Sequence, residues 1–139
     1  MKKVLLIGNG AREHVIAETL NRSKSGAEIF VIGSAVNPGI KSISKEYFVG
    51  SITDANFVTD IAKKILPDFC IIGPEAPIAC GIVDALEKTG FRCCSPLQTV
   101  GRLESSKSFT RDLLLKHNIP ENPKFKVFSN EDGLVEFFD

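Results

Sequence analysis

The chain has 139 residues, 43% of them hydrophobic and 24% charged, with 17 Lys plus Arg against 17 Asp plus Glu. That size suits one domain with a short extension, and the balanced charge argues against a basic nucleic-acid-binding face while leaving room for a small anion held by a few local donors. No stretch is long and apolar enough to span a bilayer, and the apolar run after Met1-Lys2-Lys3 breaks at Gly8-Asn9-Gly10, too soon for a signal peptide. A cytoplasmic protein with no membrane or nucleic-acid partner is therefore expected.

Val4-Leu5-Leu6-Ile7 reads as the first strand. A helix is predicted over 11–21, with Ile16, Ala17 and Leu20 on one face. Ile29-Phe30-Val31-Ile32 is the second strand, and Tyr47-Phe48-Val49 a weaker edge strand. A helix over 54–66 places Phe57, Val58, Ile61, Ala62 and Ile65 on one stripe, behind a cap at Thr53 or Asp54. The strand Phe69-Cys70-Ile71-Ile72 follows, then one helix over 78–88 that starts near Pro77 and stops at Gly90. Phe91-Arg92-Cys93-Cys94 is mixed in character and suits a sheet edge. The runs at 4–7, 29–32 and 69–72 are continuous rather than alternating, as strands buried on both faces of a parallel sheet are. Strands alternating with helices predict an α/β fold, a doubly wound, mainly parallel sheet with helices on both faces, over residues 1–98.

Residues 99–139 depart from this pattern. A short helix is predicted over 99–103, and a second from a Ser105 or Ser106 cap to Lys116, with Phe109, Leu113 and Leu114 inward, ending at Asn118 and Pro120. Residues 124–128 read as a strand and 129–139 as a short helix carrying Leu134, Val135, Phe137 and Phe138. So much apolar surface calls for a partner, either a second domain that begins here or the first domain itself. The four cysteines, Cys70, Cys80, Cys93 and Cys94, lack zinc-site spacing and are expected to be buried, reduced thiols.

Two loops carry the candidate chemistry. Gly8-Asn9-Gly10-Ala11-Arg12-Glu13-His14 joins the first strand to the first helix. Its glycines permit close approach of a ligand, the helix start offers unpaired N–H groups, and Arg12 can add a forked contact to a phosphate. A dinucleotide fingerprint is broken, because Glu13 stands where the third glycine belongs and Gly33-Ser34 where an acid is expected after the second strand. The competing account is a plain strand-to-helix turn. Gly73-Pro74-Glu75-Ala76-Pro77 follows strand 69–72 and also belongs at the carboxyl edge of the sheet. If that strand lies beside 4–7, the loops face one another, and Glu75 can accept from sugar hydroxyls or an amine. Alone, it would be a rigid turn with Glu75 near a helix start.

The run from Lys3 to His14 is very similar to the start of the phosphoribosylamine–glycine ligases, also called glycinamide ribonucleotide synthetases. Gly73-Pro74-Glu75-Ala76-Pro77 with Ala79-Cys80-Gly81-Ile82-Val83-Asp84-Ala85-Leu86 resembles a second signature of that family. Leu103-Glu104-Ser105-Ser106-Lys107-Ser108-Phe109-Thr110-Arg111-Asp112, followed by His117-Asn118-Ile119-Pro120, resembles a third. Asn37-Pro38-Gly39-Ile40 looks like the archaeal-type branch. Ala11 departs from a frequent glycine, as does Cys94 before Ser95-Pro96.

The resemblance implies the amino-terminal portion of an ATP-grasp ligase that joins glycine to phosphoribosylamine through a glycyl phosphate, using ATP with magnesium or manganese. It implies a substrate-binding Rossmann-like domain over 1–98 and the beginning of an ATP-grasp domain over 99–139. It assigns phosphoribosyl binding to Gly8, Asn9, Gly10, Arg12, Glu13, Gly73, Pro74 and Glu75, and contact with the ATP phosphates to Lys107. His14 is either a wall of that site or satisfied locally, and His117 is read as structural. Family members are several times longer, so metal ligands and catalytic groups are expected outside this chain. Its partner would be the rest of the ligase or a separate ATP-grasp subunit, and the chain alone is expected to be inactive. The alternatives are the leading domain of another ATP-grasp ligase and a non-catalytic nucleotide-binding Rossmann module.

Overall fold

The computed structural model describes residues 1–138 and divides into two compact units, Met1–Gly101 and Arg102–Asp139. In the first unit the order is β1 (Lys2–Ile7), α1 (Ala11–Asn21), β2 (Ala27–Gly33), α2 (Pro38–Ile43), β3 (Glu46–Val49), α3 (Ala55–Ile65), β4 (Phe69–Ile72), α4 (Glu75–Ala79) and α5 (Ile82–Lys88). The four strands form one parallel sheet in the order β3-β2-β1-β4.

Side chains along a strand alternate between faces, and both faces of this sheet are covered. Leu5, Ile7, Phe30, Ile32, Cys70 and Ile72 pack with Val58, Ile61, Ala62 and Ile65 of α3, and with Ile78, Ile82, Val83 and Leu86 of α4 and α5. Leu6, Ile29, Val31 and Ile71 face the other way, against Ile16, Ala17 and Leu20 of α1 and Ile40 and Ile43 of α2. The chain steps outward from β1 to β3 through helices on one face, then crosses back to β4 through α3 on the other. Crossovers of one hand running in opposite directions require that arrangement.

Several expected elements take a different form. The helix over 78–88 is two helices, because Gly81 adopts φ +78° and breaks the hydrogen-bond ladder between α4 and α5. α4 starts at Glu75, so that residue opens a helix rather than riding a loop. Residues 91–94 form a single bridge, Cys70 to Cys93, in place of a strand. Beyond it the Ser95 hydroxyl takes over the edge: it accepts from the Ile72 N–H and donates to the Ile72 carbonyl, both at 2.9 Å, and Pro96 follows. α2 was not foreseen, although Asn37 caps it by accepting from Gly39 and Ile40 N–H and Pro38 takes its first position.

The cysteines also divide. Cys70 is buried and Cys93 half-buried, but Cys80 and Cys94 are exposed, contrary to the expectation of four buried thiols. Cys70 hydrogen-bonds to Cys93. That contact and burial push the Cys70 thiol far above its ordinary range, while the same contact lowers Cys93.

The division between units falls within α6 (Gln98–Ser105). The second unit contains α7 (Lys107–Lys116), capped by Ser106, and α8 (Leu134–Phe138). Residues 124–128 have no strand partner among the described residues, and without a ladder they form no strand. The helix predicted over 129–139 is realised only as α8, and its last residue lies outside the described ones. Local pairs hold this unit: Arg102 lies 4.1 Å from the Phe109 ring, Phe128 meets Phe137 edge-on at 5.8 Å, and Asn122 bonds to Arg111. Phe109, Leu113 and Leu114 are half-buried rather than core.

Candidate functional site

Strand order reverses between β2 and β4 on either side of β1, so the crevice beyond the carboxyl ends of β1 and β4 is the topological switch point. Ile7 pairs with Ile72, and the ladder runs one residue further: Gly73 N–H donates to the Ile7 carbonyl at 3.1 Å and Gly8 N–H to the Ile32 carbonyl at 2.8 Å. Gly8 and Gly73 therefore leave the sheet side by side. The two loops that the sequence keeps more than sixty positions apart meet here.

Arg12, in the first turn of α1, and Glu75, first in α4, bridge the crevice. Arg12 Nη2 donates to Glu75 Oε1 at 3.2 Å and to Oε2 at 3.1 Å. Both side chains are well exposed, at 61% and 47%. An ion pair in water of this kind contributes about 0–1 kcal/mol. The guanidinium suits a phosphate, and the carboxylate suits hydroxyls or an amine.

Glu13 occupies the interior between the loops. It is 3% exposed, and its Oε2 accepts from the Gly10 N–H at 2.6 Å. This is half of a capping box, since Gly10 has no side chain to return the bond. A Cβ added to Gly8 would lie 2.7 Å from Glu13 Cγ and 2.8 Å from Pro74 Cδ; one added to Gly73 would lie 2.0 Å from Glu13 Oε1. Gly8 also has φ +125°, a conformation side chains rarely adopt. Gly8, Gly10, Glu13, Gly73 and Pro74 are thus one packed group.

Asn9 turns toward the loop after β2. Its Oδ1 accepts from Ser34 N–H and Ser34 Oγ at 3.0 Å each, and its carbonyl accepts from Asn37 Nδ2 at 3.0 Å. Tyr47 Oη accepts from Asn37 N–H at 3.2 Å and donates to the Ala35 carbonyl at 2.8 Å. Ser34, Asn37 and Tyr47 therefore brace the site, and sequence reasoning missed them as a set. The signal was present in Asn37-Pro38, a helix-start pair, but nothing local tied it to Asn9. His14 lies over Gly39, where a Cβ would come within 2.2 Å of its ring, and 3.7 Å from Glu18 Oε1, so it packs α1 on α2. Lys107 is the exposed first residue of α7, in the second unit. Among the described residues, no three His, Cys, Asp or Glu side chains gather as a metal site would, and no helix is long and apolar enough to cross a membrane.

Residues 2–104 match the family described as phosphoribosylglycinamide synthetase, N domain. The phosphoribosylamine–glycine ligase of Pyrococcus furiosus is 40% identical over 139 residues, which is 100% of this chain and 31% of that protein. The chain thus spans about a third of the length of the curated relatives it matches. Among solved structures, N5-carboxyaminoimidazole ribonucleotide synthetase from Thermotoga maritima superposes with TM-score 0.74 at 21% identity, covering 100% of this chain and 37% of that one. N5-carboxyaminoimidazole synthetase from Staphylococcus aureus, complexed with ADP, gives TM-score 0.74 at 13% identity, over 99% of this chain and 35% of that one. At these identities the structural likeness speaks for the fold, which agrees with the doubly wound sheet expected from the sequence.

Proposed function

Since the chain belongs to the phosphoribosylglycinamide synthetase N-domain family, we propose that it is the phosphoribosyl-binding part of a ligase joining glycine to 5-phosphoribosylamine at the expense of ATP. The observation that carries this reading is the Arg12–Glu75 pair at the switch point, a cation and a carboxylate held 3.1 Å apart across two loops. Arg12 takes the substrate phosphate, and Glu75 takes sugar hydroxyls or the amine. Gly8, Asn9, Gly10, Gly73 and Pro74 form the walls, with Glu13 packed behind them and the glycines admitting the sugar close to the backbone.

The chemistry needs ATP because a carboxylate is a poor electrophile. Phosphorylation of glycine's carboxylate gives an acyl phosphate, the sugar amine attacks its carbonyl carbon, and inorganic phosphate leaves. A protein accelerates such a sequence mainly by positioning and charge stabilisation. Lys107 is assigned to the ATP phosphates; the ADP bound by the Staphylococcus aureus structural relative favours a nucleotide site in the wider fold. The groups that hold magnesium or manganese belong to the rest of the ligase or to a separate ATP-grasp subunit. Without that part the chain does not catalyse ligation. The reading carries a cytoplasmic location with it.

Calorimetry of the purified chain against glycinamide ribonucleotide and against NAD tests the assignment. Binding of the ribonucleotide alone is expected, weakened by about 10-fold or more in Arg12→Ala and in Glu75→Ala, the size of a lost charge-assisted hydrogen bond. Unchanged binding in both variants would refute it, as would a preference for NAD.

A further inference from the structure

We propose that Glu13 is a positioning residue, a buried brace that sets the spacing of the two loops, rather than a group that touches the substrate. The inference rests on reading the β1/β4 crevice as the phosphoribosyl pocket. Three observations carry it. The first is burial: Glu13 is 3% exposed and its Oε1 is fully covered, so that oxygen is closed to a ligand in the crevice. The second is fit. Added Cβ atoms at Gly8, Gly10 and Gly73 would come within 2.7 Å of Glu13 Cγ, 2.9 Å of Oε2 and 2.0 Å of Oε1. Glycines from two loops lack a side chain toward the same carboxylate. The third is bonding: Oε2 holds the Gly10 N–H at 2.6 Å, whereas Oε1 has no hydrogen-bond partner among the described residues. Oε1 fills the space against Gly73, where an added Cβ would come within 2.0 Å of it.

The brace changes how an anion is read. The Gly10 N–H is the leading donor of α1, and Glu13 already occupies it. Phosphate recognition then falls to Arg12 and not to that amide. It also accounts for Glu13 in place of the third glycine of a dinucleotide site: the space between helix and strand is filled, not opened.

The test uses the 139-residue chain with glycinamide ribonucleotide as the calorimetric probe, and thermal melting beside it. Glu13→Ala should weaken binding by about 10- to 100-fold, since a loop displaced by about an ångström costs that much. Glu13→Gln, of the same length and still able to accept from Gly10, should recover most of that loss. Gly73→Ala should weaken binding and lower the melting temperature, and adding Glu13→Ala to it should restore part of both, because the new methyl then enters vacated space. Glu13→Gln as weak as Glu13→Ala would mean that the charge itself meets the ligand, and would overturn the brace. Losses that simply add in the double variant would overturn it too. If the parent chain binds no ribonucleotide, the substrate reading fails on its own; the melting temperatures of the same four variants still decide the brace.

Discussion

In Met1–Gly101 a parallel sheet buries Val4, Leu5, Leu6 and Ile7 completely, with helices on both sides, whereas in Arg102–Asp139 Leu103, Leu115, Ile119, Val127, Val135 and Phe138 stay exposed. Both units carry apolar residues at helical spacing. They differ in what lies opposite within each unit: a strand layer stands against α1 and α3, whereas the second unit has no strand among the described residues, and its contacts include Arg102 on the Phe109 ring at 4.1 Å and the Phe128–Phe137 pair at 5.8 Å. An amphipathic helix is stabilised mostly by the surface it buries, so the first unit should hold its shape far more firmly than the second.

Hydrogen exchange gives the largest expected contrast. Amides of β1, β2 and β4 should exchange slower than those of 107–116 and 134–138 by a factor of about 10³ or more, the spread between global and local opening. Equal protection in both units would break the comparison. Next comes Leu5→Ala, which opens a cavity in the central strand and should cost about 2–5 kcal/mol in denaturant unfolding, whereas Leu115→Ala on exposed α7 should stay within about 0.5 kcal/mol. Ser95→Ala strips the Ile72 N–H and carbonyl of their shared partner and should cost about 1–3 kcal/mol, although nothing apolar is lost.

Two smaller effects sharpen the picture at the rim of the first unit. Leu66 ends α3 at φ +53°, an unfavourable conformation for a branched side chain that is here mostly exposed. Leu66→Gly should be neutral to about 1 kcal/mol stabilising, and a clear loss would mean that the side chain is packed. Asp68 accepts from Lys2 Nζ and from the Lys3 N–H, both at 2.8 Å, and these bonds hold its carboxyl below the usual aspartate range. A depressed carboxyl stabilises the fold above its unfolded pKa and ceases to do so as pH falls through the folded value. The difference between Asp68→Asn and the parent should therefore be present at neutral pH and vanish in acid; a difference that grew on acidification would be the wrong sign.

The sheet was legible because continuous apolar runs such as Val4-Leu5-Leu6-Ile7 have one sensible use, and the switch-point loops because glycines followed each run. What stayed hidden depended on distance. Nothing near Ser95 says that its hydroxyl will substitute for a strand at Ile72, and nothing near Asn9 points to Ser34 or Asn37. The break at Gly81 was obscured by an apolar stripe that fits one helix as well as two. Strand character at 124–128 was a propensity with no partner among the described residues to express it. Glu13 was visible as a departure from a glycine fingerprint, but its burial needed the second loop, since Gly73 leaves room for one of its carboxylate oxygens.

The central claim is that loops 8–14 and 73–76 act as one binding surface. Amide chemical shifts of the isotopically labelled chain, followed while glycinamide ribonucleotide is added, test it most directly. The account predicts that both loops shift together along one binding curve while α7 and α8 stay still. Shifts confined to one loop, or centred away from the β1/β4 crevice, would contradict it.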